Sequence, residues 1–415
     1  MRLSHHSQFL IPALFAVAFI NPITAAAALQ SSHPHITKDW TFLLFLNGNN
    51  NLASFGPTNI KQMENVGSSE KLNAVVEWAN LPDTTTKRLY IEKSTDPTNV
   101  TSTVVQELPR VDMGDYHSLI DFVQWGVANY PAKHYFIAVW NHGSGWHNLM
   151  ATSTVKSPIH SLDISFDDNS GHSITTAELG MAMAESAKII GHKVDIYGSD
   201  ACLMAMAEVA DEMSDSVSYF AGSEETEPGL GWPYEPFFRR WESQQSASPS
   251  DVASILTEEY VKAYGGGANG SDQVTFSTFN LRQMANFNRA MSDFAKSVQT
   301  LSADDKTKLL AAAGNVQSFA YSDYADLGDF LNLLKQAGLS GIKAEGLQTL
   351  RDSMDQLVIA NGDTPGYQKA NGISFWLPTS ADSFNSYKDV YQTLRFQKDT
   401  GWGDALNFLL VPHSN

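Results

Sequence analysis

Short apolar runs punctuate the chain at Trp40–Leu46, Ala74–Trp78, Arg88–Glu92, Tyr135–Trp140, Val194–Tyr197, Ser218–Ala221, Val274–Phe279 and Ile373–Leu377. β-Branched and aromatic residues dominate them, and Gly, Asn or Pro bounds many, which predicts buried strands. Between them, apolar residues recur at helical spacing over Pro57–Val66, Tyr116–Asn129, Thr175–Ile190, Cys202–Met213 and Val252–Tyr264. Strands alternating with helices predict an α/β fold, a mostly parallel sheet with helices on both faces, over residues 38–280. Beyond that the pattern changes. Leu281–Leu301, Lys306–Ala313, Leu327–Ala337 and Ile342–Ile359 all have helical periodicity. A mainly helical subdomain over 281–415 is expected, sending the strand at 373–377 back to the sheet.

Composition narrows the class. Of 415 residues, 43% are apolar, enough for a large core. The net charge is −18, from 45 acids against 27 bases, which disfavours nucleic acid or an anionic membrane surface as a partner. At the N-terminus, Arg2, His5 and His6 precede an apolar stretch from Phe9 to Ile20, then Pro22 and Ala25-Ala26-Ala27-Ala28. This reads as a signal peptide over residues 1–28, and hence an exported protein, periplasmic or extracellular. No later segment approaches the roughly 18 uninterrupted apolar residues of a membrane span, so no stable membrane insertion of the mature chain is expected. A monomer is expected.

The chain has one cysteine, Cys202, just past the run Val194–Tyr197. Another run ends in Trp140-Asn141-His142-Gly143-Ser144-Gly145-Trp146. In parallel sheets, functional groups gather beyond the carboxyl ends of the strands, where both His142 and Cys202 fall. A thiol needs a base and a site that favours its thiolate, and His142 and the first turn of a helix would supply them. The amides of Gly143 and Cys202 would hold an oxyanion.

His142-Gly143-Ser144-Gly145-Trp146 and Asp200-Ala201-Cys202-Leu203-Met204 resemble the two signature motifs of the clostripain family of cysteine peptidases, related in fold to caspases, legumains and gingipains. Asn50-Asn51-Leu52 after the first strand and Gly222-Ser223-Glu224-Glu225-Thr226-Glu227-Pro228 with Gly231-Trp232-Pro233-Tyr234 extend the resemblance. So do Asp323-Tyr324-Ala325-Asp326-Leu327 and Gly372-Ile373-Ser374-Phe375-Trp376-Leu377-Pro378. The resemblance implies a caspase-like three-layer sandwich, a Cys–His dyad and cleavage of peptides or proteins after Arg or Lys. It places Asp200 at the floor of the pocket for the basic side chain, although that carboxylate also suits a cap of the helix carrying Cys202. Asn49 stands where the family commonly has Asp, which puts an ionic role there in doubt. If the enzyme cuts after basic residues, Lys156 offers a site of self-cleavage.

Two other readings compete: a catalytically silent peptidase-like binding protein, and a serine hydrolase using Ser144. The second lacks a Gly-x-Ser-x-Gly elbow. The sequence requires no cofactor and no metal. The acidic run Asp163, Asp167, Asp168, Asn169 to Glu178 leaves calcium open but breaks the EF-hand pattern, with Gly171 and His172 misplaced. His160, His172 and His192 lack zinc-site spacing.

Overall fold

The central strand is β1 (Lys38–Gly48). Phe42, Leu44 and Leu46 pack on one face of it, Leu43 and Phe45 on the other, all fully buried. A strand covered on both faces needs a near-continuous apolar run, and Phe42–Leu46 supplies one. The structure is a computed structural model that describes residue 1 and residues 37–147, 163–244 and 246–411. The leader expected over 1–28, apart from Met1, lies outside the described residues, as do Lys156 and His160.

After β1 the chain forms β2 (Leu72–Asn80), β3 (Thr85–Tyr90), β4 (Thr103–Pro109) and β5 (Ala132–Trp140). β6 (Ile164–Asp167) and β7 (His172–Ile174) pair with each other. β8 (Val194–Asp200) and β9 (Val217–Gly222) follow. A small hairpin, β10 (Gly265–Gly267) with β11 (Gly270–Ser271), precedes β12 (Thr275–Asn280). The last strands are β13 (Tyr324–Asp326), β14 (Val358–Asp363) and β15 (Ser374–Trp376). The main sheet has nine strands in the order β14-β12-β9-β8-β5-β1-β2-β3-β4. Its centre, β9-β8-β5-β1-β2, is parallel, and the flanks β12-β14 and β3-β4 are antiparallel. The parallel sheet of the sequence reading is thus the core of a larger mixed sheet.

Helices cover both faces. Gly56–Glu64, Tyr234–Ser243 and Pro249–Tyr264 bury Ile60, Phe238 and Tyr260 on one. Tyr116–Asn129, Thr176–Ile190 and Met284–Val298 bury Phe122, Leu179 and Phe287 on the other. The result is the three-layer sandwich expected. The ends of Thr176–Ile190 show how local sequence sets boundaries. Thr175 and Glu178 form a reciprocal capping box, and Gly191 closes the helix at φ 88°, a left-handed conformation suited to glycine.

Three expectations are corrected. The strand at 373–377 does not return to the main sheet: β15 pairs with β13, and Ser374 N–H donates to the Ala205 carbonyl at 3.0 Å. The place beside β12 is taken by β14, whose first residues continue a helical pattern in the sequence but pair antiparallel in the fold. The helix expected from Cys202 begins at Ala207. Residues from Ile36 onward form one compact unit, and the helical part is tied into it. The fully buried Glu208 accepts from Trp376 N–H and Tyr391 O–H, both at 3.0 Å.

Candidate active site

β5 and β8 are parallel neighbours, with Trp140 directly opposite Asp200. Beyond that pair, Asn141 N–H donates to the Asp200 carbonyl at 3.2 Å. His142 and Cys202 each lie two residues past the paired positions, on the same edge of the sheet. A Cβ on Gly143 would collide with the Cys202 carbonyl and come within 3.1 Å of Ala201 Cβ and Met204 Sδ. Only a residue without a side chain lets the two loops approach so closely.

His142 is held from the loop after β1, where Asn51 Oδ1 lies 2.6 Å from its Nε2. Burial pushes the imidazole below its ordinary value, partly offset by the Asp168 carboxylate. Asparagine amides brace the surrounding loops. Asn141 donates to the Asn47 carbonyl at 2.7 Å and accepts from Phe166 N–H at 2.8 Å. Asn50 donates to the Phe166 carbonyl at 2.9 Å, and Asn49 to Asp167 Oδ2 at 2.8 Å. At position 49 the amide therefore makes a hydrogen bond where a carboxylate would face another carboxylate.

Ser144 is fully buried and donates its hydroxyl to the His147 carbonyl at 3.1 Å, which removes it as a nucleophile. Cys202 is partly exposed and free of disulfide. It sits on a turn before the helix Ala207–Met213, and Leu203 has φ 65°. The helix N-terminus therefore does not activate the thiol, and Asp200, the last residue of β8, caps no helix. Burial pushes the Cys202 thiol up, and the Glu225 and Asp200 carboxylates add to the effect. The Glu227 N–H, 3.2 Å from Sγ, opposes it. Both shifts favour the neutral thiol and the neutral imidazole. Among the described residues, neither Gly143 N–H nor Cys202 N–H is taken by a backbone carbonyl.

Asp200 is 4% exposed. Its Oδ2 accepts from Tyr234 O–H at 2.6 Å and from Trp232 N–H at 3.3 Å. Gly231, at φ 61°, lies against it, and a Cβ there would sit 2.9 Å from Oδ1. Desolvation pushes this carboxyl up to about 7 against those hydrogen bonds. Asn51, Glu227 and Tyr234 lie within segments that resemble the family, but no spacing rule singles them out. They contact His142, Cys202 and Asp200 respectively.

Among the described residues, no group of three or more His, Cys, Asp or Glu is placed to hold a metal. Asp167 is engaged by Asn49 and by the amides of Met113 and Asn169, and Glu178 by the capping box. No described helix is long and apolar enough to cross a membrane.

A model of the clostripain family matches residues 44–408. Clostripain from Hathewaya histolytica is 21% identical over 319 residues, 66% of this chain and 59% of that protein's length. Among solved structures, a secreted C11 cysteine protease from Bacteroides thetaiotaomicron with an irreversible peptide inhibitor superposes with a TM-score of 0.68 at 19% identity. An inactive zymogen C11 protease from Parabacteroides distasonis superposes with a TM-score of 0.64 at 17% identity. Each alignment covers 88% of this chain and 99% of the other. At these identities the likeness is one of fold. Matched by the family model over most of its length, the chain belongs to the clostripain family of cysteine peptidases.

Proposed function

We propose that the protein is an exported cysteine endopeptidase that cuts after Arg or Lys, with Cys202 as nucleophile and His142 as general base and acid. The observation that carries this reading is the register of β5 and β8, which puts the histidine and cysteine loops in contact through Gly143. With His142 Nε2 directed at Asn51, its Nδ1 is the nitrogen left to accept the thiol proton. Burial favours the neutral form of both groups, so in this reading the proton moves as the substrate carbonyl arrives. The thiolate attacks the carbonyl carbon, and the oxyanion takes hydrogen bonds from the Gly143 and Cys202 amides. The imidazolium protonates the leaving amine, and water then hydrolyses the thioester with His142 again as base. Asp200, buried beside Tyr234, gives the pocket a carboxylate for a basic side chain. The leader over residues 1–28 is read as an export signal and Lys156 as a self-cleavage point; the mature chain acts as a monomer.

The test is hydrolysis of fluorogenic peptides ending in Arg, Lys, Asp, Asn or Ala, using the chain from Gln30 onward, with and without calcium. Cleavage after Arg or Lys, lost in Cys202→Ala, is expected. Cleavage after a neutral residue would discard Asp200 as the pocket acid. No cleavage even after the chain has been cut at Lys156 would favour the silent binding protein.

A further inference from the structure

The loop after β9 brings a second acid to Asp200. Glu227 is tied to Cys202 by its own N–H, which reaches Sγ at 3.2 Å. Its side chain runs to the Asp200 carboxyl, and both Glu227 oxygens are buried with no protein N–H or O–H in hydrogen-bond geometry. The Ala201 N–H is near but does not meet that geometry. Tyr234 faces Asp200 from the helix Tyr234–Ser243. Tyr260 and Tyr264 lie near both acids on the helix Pro249–Tyr264, the Tyr264 O–H donating to the Gly231 carbonyl at 2.8 Å. The Tyr260 hydroxyl and Trp232 Nε1 are also buried without partners. Among the described residues neither acid belongs to an ion pair with Lys, Arg or His. The remaining neighbours are Cys202 and, beyond it, Glu225.

Two buried carboxyls this close, with no cation beside them among the described residues, strongly disfavour ionisation of both. We propose that Asp200 and Glu227 share one proton while the pocket is empty, and that the cationic side chain of a substrate displaces it. Glu227 is then a specificity-determining residue, and binding of a basic side chain releases a proton to solvent. Neutral side chains leave the proton in place. This rests on the reading of Asp200 as the pocket acid and adds its partner and its dependence on pH. Burial raises both carboxyls, the direction that a proton held between them requires. The entering cation supplies a charge for both carboxylates, and the orphaned oxygens of Glu227 gain donors.

The test is calorimetric binding of peptides ending in Arg or Ala to the full chain carrying Cys202→Ala, which removes the thiol's own titration. Comparing buffers of different ionisation heat counts the protons released. Up to one proton per arginine peptide is expected near neutral pH, with affinity rising by up to roughly tenfold per unit of pH until the empty pair itself deprotonates. The alanine peptide should release none. Adding Glu227→Gln should abolish the release and flatten the pH dependence. Arginine preference without proton release, or with release unchanged by Glu227→Gln, would overturn the shared proton alone. No preference for the arginine peptide would overturn the reading of the pocket itself. The count on the protein with native Glu227 stands as a test even if the glutamine variant does not fold.

Discussion

His142 Nε2 lies 2.6 Å from Oδ1 of Asn51, a residue delivered by the loop after β1 rather than by either motif strand. The contact fixes the imidazole's tautomer and ring orientation. Asn51→Ala is expected to lower kcat by about 10- to 100-fold with little change in KM, because a misoriented base is lost to the chemistry and not to binding. Asn51→Asp should keep the orientation and, by adding a negative charge, move the acid limb of the pH–rate profile upward. Steady-state kinetics across pH check both; an unchanged kcat in Asn51→Ala would remove its positioning role.

The resting thiol is the second point. Burial raises Cys202 and lowers His142, so the neutral pair is favoured over thiolate and imidazolium. Alkylation of the free enzyme by iodoacetamide should therefore keep accelerating as pH rises past the ordinary thiol value. A plateau of the rate below about pH 7 would reveal a preformed ion pair.

Gly143 offers a steric test. A Cβ there meets the Cys202 carbonyl backbone and has no flexible chain end to push aside. Gly143→Ala should part the two loops and cost on the order of 100-fold in kcat/KM, while unfolding midpoints change little. Near-normal activity in a well-folded variant would show that the close approach does not matter.

Glu208 makes the fold sensitive to alkali. Burial raises its carboxyl to about 7 despite hydrogen bonds from Trp376 and Tyr391. The native state thus holds a proton that the unfolded chain releases near the ordinary glutamate value. The linked stability is complete below that value and is lost as pH rises through about 7. Glu208→Gln removes this titration. Between about pH 6 and 8.5 the native protein's Tm should fall further than the variant's, by roughly 1 to 4 °C in scanning calorimetry. Parallel slopes would contradict the assignment.

The sequence by itself determined the parallel core and the chain positions of the chemistry. β1, β2, β5, β8 and β9 are buried on both faces, so their runs are predominantly apolar and legible without partners. The polar turns that end β5 and β8 place His142 and Cys202 at strand ends. Tertiary structure decided the rest. Only the pairing of β5 with β8 makes those two ends adjacent. Cys202 reads as helical because its neighbours are good helix formers, yet contacts with the loop after β9 hold it on a turn. Leu203 N–H donates to the Glu225 carbonyl, and Glu227 N–H to Sγ. Val358–Asp363 is half exposed at the sheet edge, where the pattern of burial comes from β12 and not from the strand's own residues. Glu227 and Asn51 are polar residues in loops, with no period to betray them. Their importance arises from which buried atoms they meet once the chain has closed, and local sequence carries no record of that.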